Sequence, residues 1–223
     1  MHQSIADIAE RADQPLDGNL FRPTLRRDLT DLNRQFLSLG LDAVHSEDPR
    51  FRLPATIRSL VSGIDAEERR VVAQCPFALF ELILPPPDAA SLWTHNRVGD
   101  QPQPAAQFTA SVRSHSFAHS VLALARSLAS SLPLSIPLSL GLSGKAETQL
   151  VELRPSELAS LAGWPGLIRP RWPGNPRVWA VMTEAACQNT DDALQWAHCV
   201  GLCLLGTETR PGGGGERSPH GAR

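Results

Sequence analysis

The chain has 223 residues, 42% of them hydrophobic and 20% charged, with a formal net charge of −2. That composition fits one globular domain or two small ones with a buried core, and the charge gives no global pull toward nucleic acid or anionic lipid. The four cysteines lack a secreted-scaffold spacing, the first ten residues carry charge where a signal peptide is apolar, and no run of about 18 apolar residues exists, so a cytoplasmic, reduced protein without a membrane span is expected. Lys145 is the only lysine and tyrosine is absent. With abundant Ala, Leu, Pro and Arg, this reads as the coding bias of a GC-rich genome, so the arginines alone do not indicate phosphate binding.

Residues 4–12 are compatible with a short helix, but Pro15, Gly18 and Pro23 follow, and 1–22 is read as a flexible N-terminal arm. Leu25, Leu29, Leu32, Phe36, Leu39 and Ala43 then recur at helical spacing, with Thr24 as the expected N-cap and Asp48-Pro49 as the stop. Pro54 opens a second helix that Gly63 closes. Asp65-Ala-Glu-Glu68 is a capping box for a third helix that Pro76 ends near Cys75. Residues 77–84 are too short and apolar for periodicity to separate helix from strand. Asp88 is placed to cap a short helix through Leu92 and Trp93, and 96–113, with Gly99, Pro102 and Pro104, is read as a linker.

The second half runs in the same order. A helix passes through Phe117, Val121, Leu124 and Leu128, and Leu132 to Pro137 is expected to form an apolar bend. Helices then begin near Ser143, at Pro155 and at Asn175-Pro176, where Asn175 is the expected cap. A last helix, Ala193–Leu205, is capped by Thr190 or Asp191, and 207–223, with four consecutive glycines, is read as a disordered tail.

That shared order is matched in the residues themselves. At an offset of about 89 residues, Ile64 faces Leu153, Glu68 faces Glu157, Val72 faces Leu161, Ala73 faces Ala162, Pro76 faces Pro165 and Leu79 faces Ile168. Phe117-Ala-His-Ser-Val is echoed by Trp196-Ala-His-Cys-Val, and Leu92-Trp93 by Val178-Trp179. The expectation is an all-α protein: two tandem four-helix units, 23–95 and 114–206, packed together, the second carrying a closing C-terminal helix.

The chemistry-bearing motifs are sparse. Gly141-Leu-Ser-Gly144-Lys145 departs from a phosphate loop, since Ser139 holds the first glycine position, Ala146 follows the lysine, and no strand is expected before it. His115 with His119, and Cys199 with Cys203, each share a helix face at a spacing of four, but a zinc site needs all four to converge. His119 and His198 hold matching places in the repeat, which suggests a shared structural role. No Gly-x-Ser-x-Gly elbow and no pair of acids stands out for catalysis, so no catalytic, cofactor or metal residue is assigned. Arg22, Arg26, Arg27 and Arg34 cluster near the first helix, and Asp28 and Asp31 flank Arg26 and Arg27, as on a solvated charged face. The stretch Trp164 to Trp179 holds three tryptophans and three arginines; Trp164 and Trp179 match core positions of the first half, which leaves Arg169, Arg171 and Trp172 as a partner-binding surface.

Residues 31–80 carry Asp31-Leu-Asn-Arg-Gln-Phe-Leu-Ser-Leu39, Glu47-Asp48, Phe51-Arg-Leu53 and two short helices. This order resembles the D subunit of the bacterial flagellar master transcription regulator. The resemblance implies a small helical protein that dimerises and works with a partner subunit on DNA, although this chain is about twice as long and no DNA-contacting residue carries over. The pattern Leu32-Asn-Arg34 with Cys75-Pro-Phe-Ala-Leu-Phe80 is also similar to uncharacterised proteobacterial helical proteins. Together these readings favour a non-catalytic protein–protein interaction or scaffold module with a protein partner. The alternatives are a transcriptional regulator or cofactor related to flagellar control, and an enzyme or metal-binding protein with a site around His115, His119, Cys199 and Cys203.

Overall fold

The computed structural model describes residues 23–42, 51–85, 112–131, 136–142, 144–164 and 166–208. The arm 1–22, the helix expected after Asp88, residues 96–111 of the linker, Pro165 and the tail from 209 lie outside the described residues. Helix dominates the rest. In chain order the elements are α1 (Pro23–Asp42), α2 (Ala55–Ser62), α3 (Ala66–Val72), β1 (Phe80–Leu82), α4 (Val112–Ser131), α5 (Ile136–Leu140), α6 (Gly144–Glu152), α7 (Pro155–Leu161), β2 (Ile168–Pro170), α8 (Pro176–Gln188) and α9 (Asp191–Glu208). No helix among the described residues is long and apolar enough to cross a membrane.

The periodic residues form the elements they predict. Leu25, Leu29, Leu32, Phe36 and Leu39 are the buried stripe of α1. Thr24 lies inside that helix, so it is not the cap; Pro23, with its fixed φ, opens the helix. Asp65 accepts from the Glu68 N–H at 2.8 Å, and Glu68 accepts from the Asp65 N–H at 2.7 Å, completing the capping box of α3. In the second half Glu157 repeats only one arm of that box, accepting from the Arg154 N–H at 2.6 Å. A guanidinium cannot accept a hydrogen bond, and the Arg154 carbonyl takes the Glu157 N–H instead, at 3.0 Å.

Some boundaries differ from expectation. Residues 132–135 of the expected bend lie outside the described residues, and its last two, Ile136 and Pro137, belong to α5, where Ile136 and Leu140 bury one face of a short helix. The linker stops short of Val112, and α9 runs on past 206 to Glu208. Asn175 stands at the N-cap of α8 without a side-chain cap bond, whereas Thr190 does cap α9, accepting from the Ala193 N–H at 3.4 Å.

Pro23 and Val112 open 20-residue helices, Ala55 and Gly144 open the helices that follow, and Ala66 and Pro155 open the next; each offset is 89 residues (112 less 23, 144 less 55, 155 less 66). Between the halves, β1 and β2 pair antiparallel with Phe80 opposite Pro170, Glu81 opposite Arg169 and Leu82 opposite Ile168. The Arg171 N–H to the Leu79 carbonyl (2.9 Å) and the Ile83 N–H to the Leu167 carbonyl (2.8 Å) flank that ladder.

One core spans both halves. Phe36, Phe80 and Phe117 meet with ring centroids 5.3, 5.4 and 6.4 Å apart, and Phe51 meets Phe117 edge-on at 5.5 Å. Such pairs each contribute about 0.5–1.5 kcal/mol beyond their area burial. Helix α8 crosses back onto α2 and α3, and α9 rests on α8 and α5. Gly201 lets α9 come down on the 73–79 loop: a Cβ there would lie 2.2 Å from Phe77 Cζ.

Candidate docking face

Two of the three residues expected on a partner surface are buried. Arg171 is 2% and Trp172 7% exposed. Trp172 packs edge-on against Phe77 at 5.6 Å and holds a left-handed backbone, φ 51°, that non-glycine residues rarely adopt. The Arg171 guanidinium lies 5.9 Å from the Trp172 ring centroid, and the Arg171 carbonyl accepts from Trp179 Nε1 at 2.9 Å. Gly141, φ 74°, makes room for this arginine, because a Cβ there would sit 2.5 Å from Arg171 Nη2. The arginine- and tryptophan-rich stretch is therefore a core element that locks β2 to α8. Of the three residues expected on that surface only Arg169 is exposed, and its guanidinium bridges Glu81 across the strand pair.

The histidines and cysteines do not form a common centre. No three His, Cys, Asp or Glu side chains among the described residues converge as a metal site needs. His115 and His119 lie on α4, and Cys199 and Cys203 are exposed on α9. His119 is exposed, whereas His198 is half-buried, with burial and then the nearby Arg26 charge holding its pKa below the ordinary value. Their matched places in the sequence thus have different surroundings. Cys75 is fully enclosed, and burial pushes its thiol up to about 12. Gly141 and Leu142 follow a helix, α5, not the strand a phosphate loop requires.

Uncovered apolar surface instead gathers on the last hairpin. Helix α9 carries no Asp, Glu, Lys or Arg between Asp192 and Glu208. Here Ala197, Gly201 and Leu205 are buried, Ala193, Leu194, Leu202 and Leu204 pack half-buried against the core, and Gln195, Trp196, Cys199 and Cys203 stay exposed. Trp196 is 67% exposed, and Cys199 and Cys203 stand exposed beyond it. Between α8 and α9 lies a groove of about 440 Å³, lined mainly by Val178, Val181, Trp196, Cys199, Val200 and Cys203, with Arg177 and Leu204 at one end. The expectation for this helix was that it closes the fold. Ala197, Gly201 and Leu205 pack it against the core, and its exposed residues fall within the uncharged run 193–207. A second hollow, of about 360 Å³ between α1 and α3, is lined by Arg34, Arg69 and Arg70. Asp31 and Glu67 pair with Arg34 and Arg70, and Arg69 donates to the Ile64 carbonyl, so these cations are engaged within the fold.

No protein-family model, curated protein or solved structure matches the chain.

Proposed function

We propose that this protein is a non-catalytic protein–protein interaction module of the cytoplasm, built from two copies of one helical module. The observation that carries the reading is the α8–α9 face: a helix without charge over 193–207 that leaves Trp196, Cys199 and Cys203 exposed beside an apolar groove. The matched helix starts at an offset of 89 residues support the duplication. The test is affinity capture from the source organism with the wild-type chain and Trp196→Asp, read by mass spectrometry. A protein recovered by the first and lost by the second is the expected result. Recovery of no specific protein, with the purified chain turning over a metabolite, would contradict it.

A second reading is a transcriptional regulator or cofactor related to flagellar control. It is supported by the order α1, Phe51-Arg-Leu53, α2 and α3, which follows the order that carries the resemblance. It predicts binding to duplex DNA that weakens steeply with added salt.

A further inference from the structure

We infer that the α8–α9 face is a self-association surface, on which a second copy of this chain docks α9 against α9, antiparallel, about a two-fold axis near Cys199 and Val200. The inference rests on the interaction reading above and names its occupant. A two-fold contact brings one patch against itself, so the patch must tolerate its own chemistry. A charged helix face would meet like charge. The α9 side of this one presents Trp196, Cys199, Val200 and Cys203, with no Asp, Glu, Lys or Arg between Asp192 and Glu208. At 1.5 Å rise per residue, Trp196 and Cys203 lie about 10 Å apart along the helix, on either side of the proposed axis. Trp196 of each copy then reaches the Cys203 end of the other copy's groove.

The charges at the two ends of the face fit the same arrangement. Arg177 lines the groove beside Cys203 and Leu204, whereas Asp192, four residues before Trp196, continues the Trp196–Cys203 stripe at the opposite end of α9, next to Asp191; Glu208, which ends α9 on the Arg177 side, falls five residues after Cys203 and so off that stripe. Arg177, Asp191 and Asp192 are exposed, and none forms an ion pair with another described residue. The two-fold brings the Arg177 end of each copy toward the Asp191–Asp192 end of the other. A parallel arrangement would set Arg177 against Arg177. The face is also separate from the junction of α1, α4, β1 and β2, which is already filled within one chain.

The test is sedimentation velocity on the full chain under reducing conditions over a range of concentrations. A species of twice the 24.2 kDa chain mass is expected. Trp196→Asp weakens it by roughly tenfold or more. Because Trp196 is mostly exposed, the variant keeps the circular dichroism spectrum of the folded chain. Arg177→Asp also weakens the dimer, and adding Asp191→Arg and Asp192→Arg to it restores association. A short bis-maleimide cross-links wild-type dimers, and the cross-link is lost with Cys199→Ser plus Cys203→Ser but kept with Cys187→Ser. A monomer at every concentration overturns the inference, as does a dimer indifferent to Trp196→Asp and the charge swaps. A monomer that still captures a different protein through Trp196 overturns the second copy and leaves the interaction reading standing. A Trp196-dependent dimer that captures nothing else supports self-association and removes the scaffold role.

Discussion

Asn33 is the polar side chain on which most of the first half's loop geometry turns. It is fully buried on α1, donating to the Phe77 carbonyl at 2.9 Å and the Ala73 carbonyl at 3.2 Å, and accepting from the Leu79 N–H at 2.9 Å. It thereby satisfies the backbone of a loop that Pro76 keeps from being helical. Asn33→Ala strands these groups in the core and should cost roughly 2–4 kcal/mol in chemical denaturation. The sequence shows Leu32-Asn-Arg34 and Cys75-Pro-Phe as separate fragments; that one side chain joins them is a tertiary fact no local pattern encodes. His198 gives a pH signature. Burial and Arg26 lower its folded pKa, so the unfolded chain binds the proton more readily. Stability should therefore fall as pH drops through about 6.5, the ordinary histidine value, and His198→Gln should flatten that part of the thermal-melt profile. Arg171 and Trp172 show the limit of reading composition at this scale. Arginine and tryptophan suit a surface hot spot and a core cation–π contact equally, and the deciding partners, Phe77 and the space over Gly141, are distant in sequence.

At the scale of elements, helix starts were legible because caps and prolines are local chemistry. Asp65 and Glu68, Pro155 and Pro176 all stand where the helices begin. The strand at 80–82 was not legible, because a three-residue strand exists only through its partner at 168–170. Docking of α9 depends on Gly201, whose missing side chain admits the Phe77 ring. Gly201→Ala should cost about 1–3 kcal/mol through overpacking, and Gly201→Leu should release α9 from the 73–79 loop. Hydrogen exchange checks this: the α9 amides should lose protection while those of α1 and α4 keep theirs.

For the whole molecule, the all-α class followed from amphipathic periodicity, and the structure carries it in one core around Phe36, Phe80 and Phe117. The proposed duplication accounts for two features together: the matched helix starts, and an antiparallel strand pair made of one strand from each half. It also leaves α9 as an added element with one inner stripe committed and one outer face uncommitted. The central claim is that this outer face is covered by protein when the chain works. Maleimide labelling of the four thiols in intact cells and in the dilute purified chain tests it most directly. Cys199 and Cys203 should label slowly in cells and quickly after dilution, Cys187 should label alike in both, and Cys75 should label only on unfolding. Cys199 and Cys203 labelling as readily in cells as in the dilute chain would contradict the account.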